Sequence, residues 1–505
     1  MGKEERMRTD KKERTAGILG FLFNLVLYFA AYGGLCGTFF NGDTLATIAD
    51  PAGQASGYLG SGRYLYALVY EAGRAMGIDW GNTTGVNVFF AIILIAAGST
   101  LISHTFAKAM EIKKESKAMF AVYLAVAFSF LNLLSLELLY FGAYALVPGI
   151  AILLMAFALH YLQKNKYAPA LLFFILMIMT YQSFVGYFIC YGLLLIYLEY
   201  RGRLQAKSFW KSGILVMVSG VICIADIYSV TLFGKLGWLP LVHKHIEAAN
   251  PMDIFRTIIE VQINILKTEY SLSAIPYLPF LLVLTAGIGI LYAFVTGKKS
   301  VSQWVYLILL AVVSDISCFA VLFGGYLYVP PRIVVSYWGF ISMLLLLCLY
   351  ELQKKAATPV LAKIPVAAMV LMTLVHIVNA NLVVSGLYVS NALDRNYARS
   401  VVEAIERYEQ ENNTEIHSIY IGRDSNCSVF WKDYVSYYNY NINERCVSGD
   451  WQLNILLKLE SGRTFERADI PQDIYEAAFK DRNWDNLNLA EQLVFQDDTA
   501  YLCVY

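Results

Sequence analysis

Long apolar segments recur along the chain and set its main pattern. Eleven stretches of about 16 to 25 residues are almost wholly apolar, which is the length at which a helix crosses the hydrocarbon core of a bilayer. They lie at 18–40, 86–106, 118–134, 142–162, 168–183, 184–200, 212–233, 276–296, 301–323, 333–350 and 364–389. The pattern predicts an all-α polytopic membrane protein with about eleven transmembrane helices.

The boundary between 168–183 and 184–200 is the least marked of these. Only the tripeptide Tyr181-Gln182-Ser183 separates the two apolar runs. Two short spans joined by a tight turn fit this pattern, and one long kinked helix fits it as well. We predict two spans and keep the kinked helix as the alternative.

The pattern changes after residue 390. Residues 391–412 show apolar positions at helical spacing, and 415–422 and 499–505 read as strands. We therefore predict a multi-span domain over 1–389 and a small α/β domain outside the membrane over 390–505. Two cysteines of this tail, Cys427 and Cys446, leave open whether a disulfide joins them.

Composition and charge support a membrane location and give the chain an orientation. Hydrophobic residues make up 58% of the 505 residues, and 39 basic side chains balance 39 acidic ones. A balanced charge argues against nucleic acid as a partner. When the loops are assigned alternately, one side holds 21 Lys and Arg and the other holds 7. The positive-inside rule then predicts a cytoplasmic N-terminus and an extracytoplasmic C-terminal domain.

Ionisable and polar side chains collect at the outer ends of the predicted spans. They are Asp43, Asp50, Arg63, Glu137, Tyr181, Gln182, Lys235, His243, Lys244, His245 and Arg332. Because charge is costly in hydrocarbon, such a set on one side indicates one outward-facing site. Each residue also has a plainer explanation, such as a solvated loop carboxylate at Asp43, a turn at Asp50 or an interfacial anchor at Arg332.

Four stretches, taken in order, resemble the Gtr-type polytopic glucosyltransferases that modify bacterial surface polysaccharides. They are NGDTLA with GSGRYLYALVYE, LNLLSLELLYFGAYAL, MTYQSF and VPPRIVVSYWGF. The chain departs from the family at two places. Gly42-Asp43 stands where the family often has two adjacent aspartates, and Tyr140-Phe141-Gly142 stands where it has Arg-Phe-Asp.

The resemblance implies a GT-C-like architecture in a bacterial cytoplasmic membrane. Such an enzyme takes a sugar, glucose in this family, from a polyprenyl-phosphate donor. It passes the sugar to a surface polysaccharide or glycolipid on the outer face. The implied partners are this donor, this acceptor and the lipid bilayer. The resemblance implies no resident cofactor. The sequence shows no metal-ligand spacing, and whether the enzyme uses a divalent metal is left open.

Inverting sugar transfer needs a carboxylate base near the acceptor hydroxyl and cations at the leaving phosphate. We predict that Asp43 is the base, with Asp50 and Glu137 as the other catalytic candidates. Arg332 is the predicted phosphate ligand, and the loop candidates for that role are Lys235, His243, Lys244 and His245. The residues predicted to bind the sugar or the acceptor are Arg63, Tyr181 and Gln182.

Two other function classes fit the same pattern. A transporter or flippase of lipid-linked sugars needs outer cations and an apolar groove, but it often has polar groups deep in the membrane and a repeat. Of the acidic residues, only Asp226 and Asp315 lie deep within predicted spans. Each could belong to a proton path or form a hydrogen bond between helices, and the sequence leaves both roles open. The third class is a membrane anchor that displays the tail domain.

Overall fold

The computed structural model describes residues 3–113, 116–239, 250–324, 329–353, 363–423, 445–448, 450–482 and 489–504. Helices make up most of this part of the chain, and one small sheet lies near its C-terminal end. The helices that carry the apolar segments are α1 (Lys3–Tyr32), α5 (Thr84–Ala109), α6 (Lys117–Ala127), α8 (Leu146–Gln163), α9 (Tyr167–Ile178), α10 (Val185–Glu199), α11 (Ala206–Lys235), α13 (Leu278–Thr296), α14 (Val301–Ser317), α15 (Tyr337–Gln353) and α16 (Lys363–Asn412).

The remaining helices lie in the connections and in the tail. Those before residue 363 are α2 (Gly42–Ala49), α3 (Pro51–Leu59), α4 (Tyr64–Ala75), α7 (Leu133–Tyr140) and α12 (Pro251–Thr268). Those of the tail are α17 (Asp450–Ser461), α18 (Gln472–Ala478) and α19 (Leu489–Gln492).

Within the described residues, seven helical segments are long and apolar enough to cross a membrane. They are Thr15–Cys36, Thr84–Ala109, Gly142–Gln163, Gln182–Glu199, Ala206–Lys235, Leu278–Thr296 and Lys363–Asn412. Four further apolar helices, α6, α9, α14 and α15, have 11 to 17 residues. The chain thus has the long apolar helices of a membrane protein, while the number of spans and their orientation stay predictions.

The chain reverses direction between α9 and α10, so the kinked-helix alternative is wrong. A short 3₁₀ turn at Gln182–Phe184 separates the two helices. Their far ends meet again, because Lys211 Nζ donates to Asn165 Oδ1 at 2.7 Å and to Glu199 Oε2 at 2.5 Å. The tripeptide at 181–183 therefore marks a turn between two antiparallel helices.

A break in the helical run separates α6 from α7, and buried side chains satisfy its backbone. The Tyr32 hydroxyl lies 2.7 Å from the carbonyl of Phe130 and 2.9 Å from that of Asn132. His376 Nδ1 lies 2.9 Å from the carbonyl of Leu131. Free carbonyl and amide groups are costly away from water, so these contacts allow irregular backbone here. They also fix where α7 begins.

The tail forms the predicted small α/β domain. Its strands are β1 (Ser418–Arg423), β2 (Glu466–Ala468), β3 (Leu493–Gln496) and β4 (Thr499–Val504), in the sheet order β2-β1-β4-β3. β1 runs parallel to β2 and β4, and β3 runs antiparallel to β4. The helix predicted at 391–412 and the strands predicted at 415–422 and 499–505 are confirmed.

The tail domain is joined to the rest of the chain by a continuous helix and by a shared core. α16 runs without interruption through the predicted boundary at 389–390. Leu45 of α2 is fully buried in the same apolar core as Leu453, Leu456 and Leu457 of α17. The tail domain therefore packs directly on α2. Cys427, half of the disulfide left open above, lies outside the described residues.

Candidate functional site

Asp43 lies in the first turn of α2, the helix that the tail domain packs against. Asn41 caps this helix, since its Oδ1 accepts the Thr44 amide at 2.9 Å while its Nδ2 donates to the Tyr140 carbonyl at 3.1 Å. A carboxylate in the first turn is favoured by the helix dipole. Asp43 keeps exposed surface, and its carboxylate makes no hydrogen bond with the part of the chain that the structure describes.

Glu137 and Arg332 form an ion pair beside Asp43. Arg332 donates from Nη1 to Glu137 Oε1 at 2.6 Å and from its backbone amide to Oε2 at 2.5 Å. Glu137 has no exposed surface, whereas 25% of the Arg332 side chain is exposed. The guanidinium carbon also lies 4.8 Å above the ring of Phe141. The pair therefore aims Arg332 and leaves part of its guanidinium accessible.

The position of Glu137 differs from the sequence-based prediction in one respect. The sequence placed it in a turn between two apolar runs, but it lies in α7, a helix of eight residues. Asn132 caps this helix through the Ser135 amide at 2.8 Å. The apolar residues around Glu137 hid the helix because they continue the pattern of the flanking spans.

Arg63 is the second cation of the site. It stands immediately before α4, and its guanidinium carbon lies 4.8 Å above the ring of Tyr181. Arg63 forms no ion pair with any described residue, and its buried Nε has no hydrogen-bond partner there. The Arg63 guanidinium thus packs on an aromatic ring and has no carboxylate partner among the described residues.

The charged groups of this cluster shift each other's proton affinity. The surrounding protein shields the Asp43 carboxylate from much of the water and so raises its pKa, and the positive charges of Arg332 and Arg63 oppose that rise. Burial raises the pKa of Glu137 to about 7, although Arg332 lowers it. Burial lowers the pKa of Arg332, but the Glu137 carboxylate more than offsets this, so the guanidinium stays charged. Asp43 is therefore a carboxylate under the influence of two arginines.

Asp50 takes a structural position instead. Its Oδ1 accepts the Gly53 amide at 2.9 Å and so caps α3, whose first residue is Pro51. No contact between Asp50 and either arginine of the site is present among the described residues. The turn explanation therefore accounts for Asp50 better than a catalytic role does.

Tyr181 and Gln182 both border the cluster, but Gln182 is already engaged. Its Nε2 donates to the Ser61 carbonyl and to Asp226 Oδ2, each at 2.8 Å. This contact ties the turn at 181–183 to the loop that carries Arg63. Asp226 therefore serves in a hydrogen bond between elements, as does Asp315, which accepts from Gln262 at 2.8 and 2.9 Å.

The predicted loop cations are not placed in the cluster. Lys235 is the last residue of α11 and is exposed. His243, Lys244 and His245 lie outside the described residues. Phe141 is a residue that the sequence analysis did not select, although it supports the Arg332 guanidinium. The sequence marked Phe141 only through its neighbours Tyr140 and Gly142, which differ from the Arg-Phe-Asp pattern of the family.

Comparisons with known proteins do not identify the chain. No family model, no curated protein and no solved structure matches it. Within the described residues, no group of three or more His, Cys, Asp or Glu side chains could hold a metal ion. The case for a function therefore rests on the geometry of the cluster formed by Asp43, Arg63, Glu137 and Arg332.

Proposed function

We propose that the chain is a membrane glycosyltransferase. It transfers a sugar, which the family resemblance gives as glucose, from a polyprenyl-phosphate donor to a surface polysaccharide or glycolipid. The observation that carries the proposal is an accessible carboxylate, Asp43, flanked by two arginines whose guanidinium groups rest on aromatic rings. The same site residues occur in the stretches that resemble the Gtr-type enzymes.

Asp43 suits the part of the base better than Glu137. A general base must reach the hydroxyl whose proton it takes. Asp43 is exposed and has no hydrogen bond to lose among the described residues, whereas Glu137 is sealed from solvent and bound twice by Arg332. The desolvation that raises the pKa of Asp43 also makes it a stronger base. Glu137 is accordingly a positioning residue for Arg332.

The two arginines suit the leaving phosphate. As the acceptor oxygen attacks the anomeric carbon, Asp43 takes the hydroxyl proton and the bond from that carbon to the phosphate oxygen breaks. The electron pair stays on the phosphate, so polyprenyl phosphate leaves with more negative charge than the donor had. Arg63 brings a positive charge that has no ion pair among the described residues, and Arg332 offers the N–H groups that Glu137 does not occupy. We therefore assign both to the phosphate.

An apolar path leads away from Arg63 and suits a prenyl chain. The ring of Tyr64, the next residue, lies 6.1 Å from the ring of Phe233, which stacks at 5.4 Å on Trp238. Trp238 and the neighbouring Leu232 and Leu236 are exposed. The lipid part of a donor could follow these side chains while its phosphate meets Arg63.

The proposal is tested with purified protein in liposomes. Polyprenyl-phosphate glucose, labelled in the sugar, is supplied together with envelope polysaccharide from the organism that carries the chain. We expect label in the polysaccharide and one polyprenyl phosphate released for each sugar moved. Arg63→Gln should abolish transfer, while Arg256→Gln, which changes an exposed arginine of α12, should not. Movement of intact donor across the bilayer without transfer would show a flippase and contradict the proposal.

A further inference from the structure

Two residues of the tail domain approach Gly42, the residue that precedes the candidate base. Trp451 and Gln452 lie in the first turn of α17, which faces the first turn of α2. A Cβ atom added to Gly42 would lie 2.4 Å from Gln452 Nε2 and 3.7 Å from Trp451 Cη2. Asp43 is the next residue after Gly42. The tail domain therefore reaches the rim of the site through these two side chains.

The contact between α17 and α2 is a packed one. Leu45, one turn after Gly42, is fully buried against the tail-domain core that includes Leu453 and Leu456. Side chains that share a close-packed core keep a fixed separation. Trp451 and Gln452 are thus held at a defined position relative to Asp43.

Both side chains keep surface that the fold does not cover. Trp451 is 38% exposed, and its ring makes no aromatic contact or hydrogen bond with the described residues. Gln452 is half-buried, and its amide likewise has no hydrogen-bond partner there. An indole with exposed surface and an amide without a hydrogen-bond partner among the described residues are both available to a ligand.

The chemistry of these two groups fits a sugar ring. The flat apolar indole face can cover the C–H face of a pyranose, and its N–H provides a polar edge. The Gln452 amide offers both a donor and an acceptor for ring hydroxyls. Binding sites commonly combine such an aromatic surface with a few placed polar groups.

We propose that Trp451 and Gln452 form the subsite for the acceptor glycan. The inference rests on the proposed function, because it takes Asp43 as the base. The base must lie next to the acceptor hydroxyl, and Asp43 follows Gly42, which this subsite approaches, while it also feels the charges of the two arginines assigned to the donor phosphate. The tail domain then has a definite task, which is to present a sugar of the surface polysaccharide or glycolipid to Asp43.

The test compares acceptor kinetics with donor binding in three variants. Trp451→Ala should raise the acceptor KM by on the order of tenfold, the scale of one lost stacking contact of about 1.4 kcal/mol. Donor affinity should stay unchanged, and Trp451→Phe should restore most of the acceptor affinity. Trp210→Ala is the matched control, because Trp210 is an exposed tryptophan at the start of α11. Equal KM values in Trp451→Ala and the wild type would overturn the proposal.

A second measurement separates this inference from the proposed function. Fluorescently labelled envelope polysaccharide is bound to the full-length protein in the absence of any donor. Binding that is lost in Trp451→Ala but kept in Trp210→Ala supports the subsite even if no sugar is transferred. Polysaccharide binding that is equally strong in the wild type and in Trp451→Ala would overturn the subsite.

Discussion

Replacing Glu137 by Gln tests how the buried carboxylate controls the donor site. The change keeps the shape of the side chain but removes its charge and one acceptor oxygen. One of the two Arg332 hydrogen bonds, at 2.5 and 2.6 Å, is then lost. A hydrogen bond to a charged group contributes about 1.5 to 3 kcal/mol to the free energy of unfolding. The neutral Gln side chain avoids the cost of burying the Glu137 charge, and this offsets part of the loss. We expect the fold to survive with a loss below about 3 kcal/mol.

The larger effect falls on the donor phosphate. In the wild type the Glu137 charge opposes the attraction between Arg332 and a bound phosphate. A unit charge about 7 Å away contributes about 2 kcal/mol at an effective dielectric constant of about 20. Glu137→Gln should therefore bind the donor more tightly, by on the order of tenfold or more at pH 8. Glu260→Gln, which changes an exposed carboxylate of α12, is the matched control and should have no effect.

The pH dependence gives this prediction its sign. Because burial raises the pKa of Glu137 to about 7, wild-type Glu137 is mostly protonated below that pH and resembles Gln. Donor affinity of the wild type should weaken as pH rises through about 7, while that of Glu137→Gln should stay flat. Between pH 4.5, the ordinary pKa of a glutamate, and about pH 7, Glu137 is protonated in the folded protein but ionised in the unfolded chain. The contribution of Glu137 to stability therefore falls as pH rises through that window.

The assay is equilibrium binding of polyprenyl-phosphate glucose to protein in nanodiscs, measured between about pH 5.5 and 8.5, a range that brackets the pKa of Glu137. It is run in the Asp43→Asn background, so that the Asp43 carboxylate does not titrate in the same range. A flat wild-type profile would refute the reasoning. Weaker donor binding in Glu137→Gln would refute it as well, because it would show that the lost hydrogen bond outweighs the charge.

Three further predictions address charge geometry, packing and orientation. Arg332→Lys keeps the charge but loses the planar fork, so donor binding should weaken by on the order of tenfold while the thermal midpoint in detergent changes little. Gly85→Ala should lower that midpoint, because its Cβ would lie 2.2 Å from the Cys36 carbonyl oxygen and relief would cost about 1 to 3 kcal/mol. Gly287→Ala on α13 meets no atom within 4 Å and should be neutral or stabilising. Lys458→Cys in the exposed part of α17, made in a chain without native cysteines, should react with an impermeant thiol reagent on intact cells. Reaction only after lysis would contradict the predicted orientation.

Much of the helical organisation was predictable because burial in lipid imposes a long, simple pattern. Each of the eleven predicted segments contains an apolar helix, and Lys211 confirms the turn at 181–183 by joining the far ends of α9 and α10. The short helix α7 was not predictable, since its apolar residues merge with the neighbouring segments. The break before it depends on Tyr32 and His376, which are distant in sequence.

The site was predictable in its members but not in its arrangement. Charged residues at span ends stand out against apolar sequence, so Asp43, Glu137 and Arg332 were selected. The pairing of Glu137 with Arg332 joins positions 195 residues apart, and no local pattern reports such a contact. For the same reason the sequence did not show that Arg63 has no ion pair within the described part of the chain. It also did not show that α17 reaches the first turn of α2.

The comparison of Asp43→Asn with Asp50→Asn tests the central claim most directly. Both residues lie in the connection between α1 and α5, but Asp43 is flanked by Arg63 and Arg332, whereas Asp50 caps α3. Transfer of labelled glucose to the polysaccharide is measured for both variants, with donor binding measured in parallel. We predict that Asp43→Asn lowers turnover by roughly 10²-fold or more with donor binding retained, and that Asp50→Asn keeps near-normal turnover. Near-normal turnover in Asp43→Asn would contradict the account, because the base would then lie elsewhere.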